Sequence, residues 1–337
     1  MIGRRALLAA GVATPLTAQA QDYYASGTRD RALRFAGAGG ASLVGTVTMP
    51  RKSDLQYVPG VVLIAGSGPT DRDGNNSYVP ERIDLLKQIA ERLGNAGIAS
   101  LRYDKRGTGA STPRPRGSLA LQESFFAWTN FVGDVQAAHA ELLRQPEIKG
   151  YATAFLGHSE GGLLAIAASA AMGAQRPHAL VLASTPGRTL AEIVLDQIER
   201  NAPSFTGEAR RVIAAIAATG HVPDDVLREL QALFPPYGGL FLKTALSFDP
   251  AATLAATDNQ CLLLHGAADR QVVPLADIQP LIDVLATRAS GGEALVVPNV
   301  SHNLRTLATP LDAGFAGPLS PAIADKLVSW LGRLLGA

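Results

Sequence analysis

Short continuous runs of apolar residues alternate along this chain with longer stretches in which apolar residues recur every three or four positions. The short runs are typical of strands buried in a parallel sheet, and the longer recurrence is typical of amphipathic helices. The predicted strands span residues 32–35, 42–49, 61–64, 99–103, 153–156, 179–182, 261–264 and 294–297. The predicted helices span residues 81–94, 124–143, 163–172, 275–287 and 321–335. This alternation predicts an α/β fold with a mostly parallel sheet, opened by a hairpin and covered by helices on both faces.

One segment departs from this alternation. Residues 187–258 contain three helical patterns, at 190–200, 207–218 and 224–234, and no convincing strand. We interpret this segment as a helical lid inserted between two halves of the core, although a helical bundle packed elsewhere would have the same pattern. The predicted organisation is then a leader at 1–20, core at 21–186, insertion at 187–258 and core at 259–337.

The composition and charge of the chain limit the kinds of molecule that it is expected to bind. Hydrophobic residues make up 47% of the 337 residues and charged residues 18%, which is enough apolar material for a large core. The formal charge is +1, from 30 basic and 29 acidic residues without long runs of either sign. This balance argues against a nucleic-acid surface. We expect a small-molecule partner, and the pattern leaves the oligomeric state open.

The first twenty residues have the organisation of an export signal. Arg4 and Arg5 precede an apolar stretch at 6–16, and Ala18-Gln19-Ala20 has the small-x-small form of a cleavage site. We therefore predict a periplasmic or secreted protein, cleaved after Ala20 and exported by the Sec or the twin-arginine route. No other uncharged run reaches membrane-spanning length. The single cysteine, Cys261, cannot form an internal disulfide.

The segment 157–162 reads Gly-His-Ser-Glu-Gly-Gly and joins a predicted strand to a predicted helix. This context is the one that a G-x-S-x-G nucleophile elbow requires, because the sharp turn exposes the serine at the end of the strand. Glycines at 157 and 161 allow the neighbouring chain segments to approach closely. Ser159 is therefore the candidate nucleophile, and a glycine-bounded turn carrying a surface serine is the alternative.

A nucleophilic serine needs a base and an acid that orients the base. His302 follows the last predicted strand, and Asp269 follows the strand at 261–264, so both fall at the carboxyl ends of strands, where functional groups of such sheets collect. We predict His302 as the base and Asp269 as the acid. The alternatives are an exposed loop histidine and a helix-capping aspartate. We place His158 on the opposite side of the elbow turn from the site.

Serine attack on a carbonyl also needs two backbone N–H donors for the oxyanion. We predict that Glu160 supplies one donor and that Ser67, in the glycine-rich loop after strand 61–64, supplies the other. A phosphate-binding turn is the alternative for this loop, but neither G-x-G-x-x-G nor a Walker lysine follows. No metal-binding spacing is present, and no cofactor is expected.

Four motifs together resemble the α/β-hydrolase superfamily, and within it bacterial serine esterases similar to S9/S33-type peptidase-like hydrolases. They span roughly residues 40 to 335 and are Gly66-Ser67-Gly68-Pro69, Tyr103-Asp104-Lys105-Arg106-Gly107-Thr108-Gly109, Gly157 to Gly162, and Gly266-Ala267-Ala268-Asp269 with His302. Many relatives carry histidine before the oxyanion-loop glycine, where this chain has Ala65. The resemblance implies a structural role for Asp104 and Arg106.

The resemblance further implies hydrolysis of carboxylic esters through an acyl-enzyme on Ser159. We expect small to medium acyl chains, with Tyr237, Phe241 and Phe248 lining an acyl pocket, although ordinary packing would explain the same spacing. A serine peptidase or amidase acting on short peptides is the first alternative. Acidic residues of the insertion would then anchor the peptide amine. A non-catalytic binding protein of the same fold is the second alternative.

Overall fold

A computed structural model describes residues 27–51, 57–309 and 311–337 of the chain. The predicted leader lies outside these residues. Eight strands form one sheet in the order β1-β2-β4-β3-β5-β6-β7-β8. The strands are β1 (Thr28–Ala36), β2 (Ser42–Pro50), β3 (Val58–Ile64), β4 (Ala99–Tyr103), β5 (Ile148–His158), β6 (Ala179–Ala183), β7 (Gln260–Gly266) and β8 (Glu293–Val297). The pairs β1–β2 and β2–β4 are antiparallel, and every other neighbouring pair is parallel. The predicted sheet and its opening hairpin are confirmed.

Helices cover both faces of this sheet. They are α1 (Leu85–Asn95), α2 (Leu119–Phe125), α3 (Trp128–Leu143), α4 (Glu160–Met172), α5 (Leu190–Asn201), α6 (Thr206–Thr219), α7 (Gly239–Ala245), α8 (Pro250–Ala255), α9 (Gln279–Thr287) and α10 (Pro321–Leu335). Alternate residues of β3 point to opposite faces, as pleating requires. Val62 packs with α3, α4 and α9 in one core cluster. Leu63 packs with α1 and α10 in the other.

The helix predicted at 124–143 is two helices, α2 and α3. The side chain of Asn130, in the first turn of α3, donates hydrogen bonds to the carbonyls of Ser124 and Phe125 at 2.7 and 3.3 Å. A side chain thus satisfies carbonyls that the following turn would bond if the helix continued. The predicted single helix was therefore wrong at this point, because a local side-chain contact ends α2.

The insertion also differs from prediction in one helix. The pattern at 224–234 forms only a short 3-10 turn, Arg228–Leu230. Its apolar residues Val226, Leu230 and Phe234 are nevertheless buried, in a core cluster shared with α5, α6 and α7. The spacing of apolar residues therefore predicted correctly which side chains are buried, but the predicted helix was wrong. Successive turns bring the same side chains inward.

Helix α7 attaches the insertion to the sheet layer. Phe241 packs against Trp128 and Phe131 of α3, with both ring centroid distances at 5.3 Å. Among the residues that the structure describes, no helix is both long and apolar enough to cross a bilayer.

Candidate active site

Ser159 lies at the turn between β5 and α4, in a backbone conformation that only a constrained turn imposes on a serine, with φ 55° and ψ −123°. Its N–H donates to the carbonyl of Ala183 on β6 at 2.8 Å, which fixes the turn against the neighbouring strand. A methyl group added at Gly157 would lie 2.2 Å from the carbonyl oxygen of Gly161, and one added at Gly161 would lie 2.3 Å from that of Ile64. The two glycines are therefore required by close backbone approach, as predicted.

Asp269 and His302 are brought together from two loops. Oδ2 of Asp269 lies 2.7 Å from Nδ1 of His302, and both side chains are buried. Oδ1 of Asp269 accepts the N–H groups of Gln271 and Val272 at 2.8 and 3.0 Å, which orients the carboxylate. Burial acts to raise the pKa of Asp269, but the neighbouring His302 and these hydrogen bonds outweigh it and lower the pKa. The ionised carboxylate can thus fix the imidazole with Nε2 facing away from it.

A second histidine contacts the same carboxylate. Nε2 of His265 lies 3.5 Å from Oδ2 of Asp269 and 3.0 Å from the carbonyl of Val272. Burial lowers the pKa of His265, although Asp269 opposes this shift. A neutral His265 ring donates its Nε2 hydrogen to the carbonyl of Val272. His302 therefore keeps the shorter contact with Asp269.

Ser159 and His302 line one cleft of about 140 Å³ at the carboxyl edge of the sheet. Polar side chains form part of its wall and are Ser67, Thr70, Asn76, His158, Gln271 and Asn303. Apolar side chains form another part of the wall and are Ala65, Val79, Ile83, Leu85, Leu86 and Phe315, and two glycines complete it. None of the lining residues in the described part of the chain is aspartate, glutamate, lysine or arginine. The cleft therefore suits an uncharged group held next to Ser159 and His302.

Several hydrogen bonds hold the loop after β3 in place. The Ser67 carbonyl accepts hydrogen bonds from Thr70 and Asn76, at 2.7 and 3.1 Å. Arg72 forms two side-chain hydrogen bonds to Asp104, at 3.0 and 2.6 Å. Ser67 therefore belongs to a fixed loop at the cleft, and Glu160 is the first residue of α4, where N–H groups lack intrahelical partners.

The contacts of Asp104 and Arg106 explain why the motif that follows β4 carries these two charged residues. Asp104 binds Arg72 and accepts the N–H of Ala110 at 2.8 Å. Arg106 pairs with Asp134 at 2.7 Å, with both side chains buried. Each side chain has its polar partners in the scaffold, consistent with the structural role that the resemblance implies.

The aromatic residues proposed for the acyl pocket lie elsewhere. Tyr237 packs on Phe126 at a centroid distance of 5.0 Å. Phe241 and Phe248 both pack on Trp128, at 5.3 and 5.5 Å. None of the three proposed residues lines the cleft beside Ser159. Their spacing instead reflects the joint between the insertion and α2–α3, where apolar area is buried.

The predicted position of His158 was wrong, and Lys105 was not predicted as part of the site. His158 lies beside the base and not across the turn from it, with Nε2 at 3.0 Å from the backbone carbonyl of His302. Lys105 is buried and donates to the carbonyl of Gly66. The His158 contact depends on how the loops fold back, which periodicity does not report. For Lys105, a lysine two residues after the end of a buried strand was a usable signal.

The sequence model of the alpha/beta hydrolase family matches residues 61–313, which contain Ser159, Asp269 and His302. The chain belongs to the α/β hydrolase family. Esterase EstD of Thermotoga maritima is 25% identical over 298 residues, covering 86% of this chain. This chain spans 65% of the length of that relative. The predicted family is confirmed, and the family supports hydrolysis as the class of reaction.

Solved structures agree on the fold of this chain. Proline iminopeptidase of Mycobacterium smegmatis has a TM-score of 0.59 and 17% identity, covering 90% of this chain and 99% of that one. Est1E of Butyrivibrio proteoclasticus with ferulic acid has a TM-score of 0.56 and 16% identity, covering 90% of this chain and 100% of that one. At these identities the likeness concerns the fold alone, and it confirms the predicted α/β-hydrolase fold. Within the described ranges, no group of three or more potential ligands is arranged to hold a metal ion.

Proposed function

We propose that this hydrolase cleaves carboxylic esters of small to medium acyl chain, using Ser159 as nucleophile, His302 as base and Asp269 as the acid that orients it. The observation that carries the proposal is the 2.7 Å contact between Asp269 and His302 at a cleft that His302 shares with Ser159. The strained elbow and the uncharged, partly apolar wall support the same reaction.

In the proposed mechanism, Oγ of Ser159 attacks the ester carbonyl while Nε2 of His302 takes its proton. Asp269 stabilises the imidazolium that forms. The N–H groups of Glu160 and Ser67 bind the oxyanion of the tetrahedral intermediate. His302 then returns the proton to the departing alcohol, which leaves an acyl group on Ser159. Water activated by His302 hydrolyses this acyl-enzyme and releases the acid.

Hydrolysis of p-nitrophenyl acetate and butyrate by the purified protein tests this proposal. We expect Ser159→Ala to reduce kcat by roughly 10⁶-fold and to abolish labelling by a fluorophosphonate probe. Ser329→Ala, on the exposed face of α10, is the matched control and should leave both readouts unchanged. Activity that survives Ser159→Ala would refute the assignment of the nucleophile. Absence of turnover and of labelling in the wild-type protein would favour a non-catalytic binding protein.

The cleft volume sets the proposed acyl size. An apolar cavity of about 150 Å³ accommodates benzene, so the 140 Å³ cleft suits a short acyl group. We expect kcat/KM to be highest for acetate to hexanoate esters and to fall for longer chains. A series of p-nitrophenyl esters measures this directly, and a steady rise of kcat/KM through decanoate would contradict it.

The contacts of three acidic residues of the insertion weigh against the peptidase alternative. A peptide amine would need a free carboxylate near the cleft, and none of the described residues that line the cleft carries one. Glu192 is used in the capping box of α5. Asp196 and Asp225 pair with Arg188 and Arg211, at 2.6 and 3.0 Å. We therefore expect a p-nitrophenyl ester of alanine to be cleaved far faster than alanine p-nitroanilide. Comparable rates would favour the peptidase.

We propose that residues 187–258 act as the lid of this cleft. Gln197 on α5 donates to the carbonyl of Gln271 at 2.8 Å, and Gln271 lines the cleft. A boronic acid bound to Ser159 should slow amide hydrogen exchange in α5 if the lid covers the site. Unchanged exchange there would indicate a bundle packed elsewhere.

We also propose that the protein is exported after cleavage behind Ala20. The basic and apolar pattern of residues 1–20 supports this. Cell fractionation followed by N-terminal sequencing tests it, since recovery of an uncleaved chain in the cytoplasm would contradict export.

A further inference from the structure

Lys105 connects the two segments that carry the proposed oxyanion donors. It is the second residue after β4, and its side chain is buried, with a relative exposure of 4%. Nζ donates a hydrogen bond to the carbonyl oxygen of Gly66 and lies 3.6 Å from Oε1 of Glu160. The ring of Phe131 lies 6.0 Å from Nζ and closes one side of this environment. A buried ammonium thus joins the loop after β3 to the first residue of α4.

The contact with Gly66 has a direct consequence for Ser67. The carbonyl of Gly66 and the N–H of Ser67 belong to one peptide unit, and the described residues contain no cis peptide bond. In a trans peptide the two groups point in opposite directions. An ammonium that holds the carbonyl therefore also fixes the direction of the N–H. It also polarises the peptide, which strengthens the N–H as a donor.

The contact with Glu160 acts on the second donor. The carboxylate of Glu160 faces Lys105, while its backbone N–H lies at the N-terminus of α4, next to Ser159. Burial lowers the pKa of Lys105, and the Glu160 carboxylate opposes that shift. The side chain of Glu160, which is not itself expected to touch substrate, thereby keeps a charge partner for the ammonium. One cation holds both donor residues in a fixed relation.

We propose that Lys105 is a positioning residue for the oxyanion hole, holding the Gly66–Ser67 peptide and Glu160 so that both N–H groups face the intermediate. This inference rests on the proposed esterase function. Because the donors act on the oxyanion and not on the ground-state ester, loss of Lys105 should reduce kcat much more than it changes KM.

The test compares Lys105→Met, Lys105→Gln and Lys105→Arg with Lys149→Met, whose site lies near the start of β5, far along the strand from Ser159. We expect Lys105→Met to lower kcat for p-nitrophenyl butyrate by about 10- to 100-fold, since one oxyanion donor is worth 10²- to 10³-fold. KM should change less than about threefold. Lys105→Gln should retain part of the activity, and Lys105→Arg, which keeps the charge, should restore most of it. Lys149→Met should match the wild type.

A trifluoromethyl ketone, which forms an oxyanion adduct on the serine, provides the second readout. Its inhibition constant should rise in proportion to the fall in kcat/KM, which a purely structural lysine does not predict. Thermal unfolding verifies that each variant is folded, and complete fluorophosphonate labelling of Ser159 after long incubation verifies that the serine is accessible. If Lys105→Met does not fold, Lys105→Gln tests whether Lys105 positions the oxyanion hole. A folded, labelled Lys105→Met or Lys105→Gln protein with wild-type kcat and ketone affinity would overturn this role while leaving the esterase intact. A wild-type protein without esterase activity would instead overturn the proposed function.

Discussion

The imidazole of His158 is hydrogen-bonded through Nε2 to the backbone carbonyl of His302, at 3.0 Å. Oγ of Ser184 donates to the same carbonyl at 2.8 Å. Burial lowers the pKa of His158 to about 3, so the ring is neutral and carries its proton on Nε2, facing the acceptor. The residue before the proposed nucleophile therefore anchors the loop of the proposed base, which couples the two segments.

Replacing His158 should separate these segments. In His158→Leu the carbonyl of His302 loses one of two donors, and we expect the free energy of unfolding to fall by about 1–3 kcal/mol and kcat by about tenfold. His158→Gln, which keeps an N–H donor, should lose less of both. His178→Leu, at an exposed position, is the control and should change neither. Wild-type kcat in a folded His158→Leu protein would show that this anchor does not position the base.

Buried neutral histidines make stability depend on pH. Burial lowers the pKa of His139 to about 4 and that of His158 to about 3, whereas an unfolded histidine titrates near 6.5. Between pH 6.5 and pH 4 the unfolded chain binds protons that the folded chain does not. Stability should therefore fall as the pH decreases through this window, by about 2 kcal/mol for each histidine at pH 5.

Urea unfolding at pH 7, 6 and 5 measures this dependence. His139→Gln removes one titrating group and can keep a hydrogen bond to Thr153, which His139 contacts at 2.9 Å. We expect a shallower decline in this variant. In the matched control His178→Gln the decline should equal that of the wild type. The same slope in all three proteins would refute the assignment to buried histidines.

Most of the site residues could be predicted from the sequence because they follow the ends of predicted strands. Ser159, Asp269 and His302 each follow a strand of one parallel sheet, and parallel strands present these ends at one edge. The contact of Lys105 with Gly66 depends instead on β4 lying beside β3. The apolar pattern identifies both strands but does not give their lateral order.

Features that depend on side-chain packing were predicted less well. Phe241 and Phe248 were assigned to a pocket because large apolar residues in a lid suggest one, yet they pack on Trp128. The cleft is lined instead by residues such as Val79 and Phe315, which lie outside the insertion. Hydrophobicity shows that a side chain is buried, but it does not show which element covers it.

Asp269→Asn tests the orientation of the proposed base. Asparagine can still accept the N–H groups of Gln271 and Val272, so the loop should fold. An amide cannot stabilise the imidazolium and favours the wrong tautomer of His302, so we expect kcat to fall by about 10⁴-fold. Asp283→Asn, at an exposed position of α9, is the control. A loss of less than tenfold, with an unchanged unfolding temperature, would argue that another group orients His302.

The elbow glycines give a steric prediction with an internal control. In Gly161→Ala the new methyl group would lie 2.3 Å from the carbonyl oxygen of Ile64, so backbone must move. We expect a loss of about 3 kcal/mol or more in stability, together with loss of fluorophosphonate labelling. Gly207 is also helical but has open space around it, so Gly207→Ala should stabilise the protein by about 0.5–1 kcal/mol. A stable, reactive Gly161→Ala protein would contradict the close approach of the two segments.

The apolar side chains in the cleft wall should set the acyl-chain preference. Val79 lines the cleft and is partly exposed, so a larger side chain there can extend into the cleft. We expect Val79→Phe to reduce kcat/KM for a hexanoate ester by about tenfold and to change that for acetate by less than about threefold, because only the longer chain needs the occupied volume. Val296→Phe, on the edge strand β8, is the control and should leave both values unchanged. Equal losses for acetate and hexanoate would indicate that Val79 supports the fold of the loop, and that the acyl chain lies in another part of the cleft.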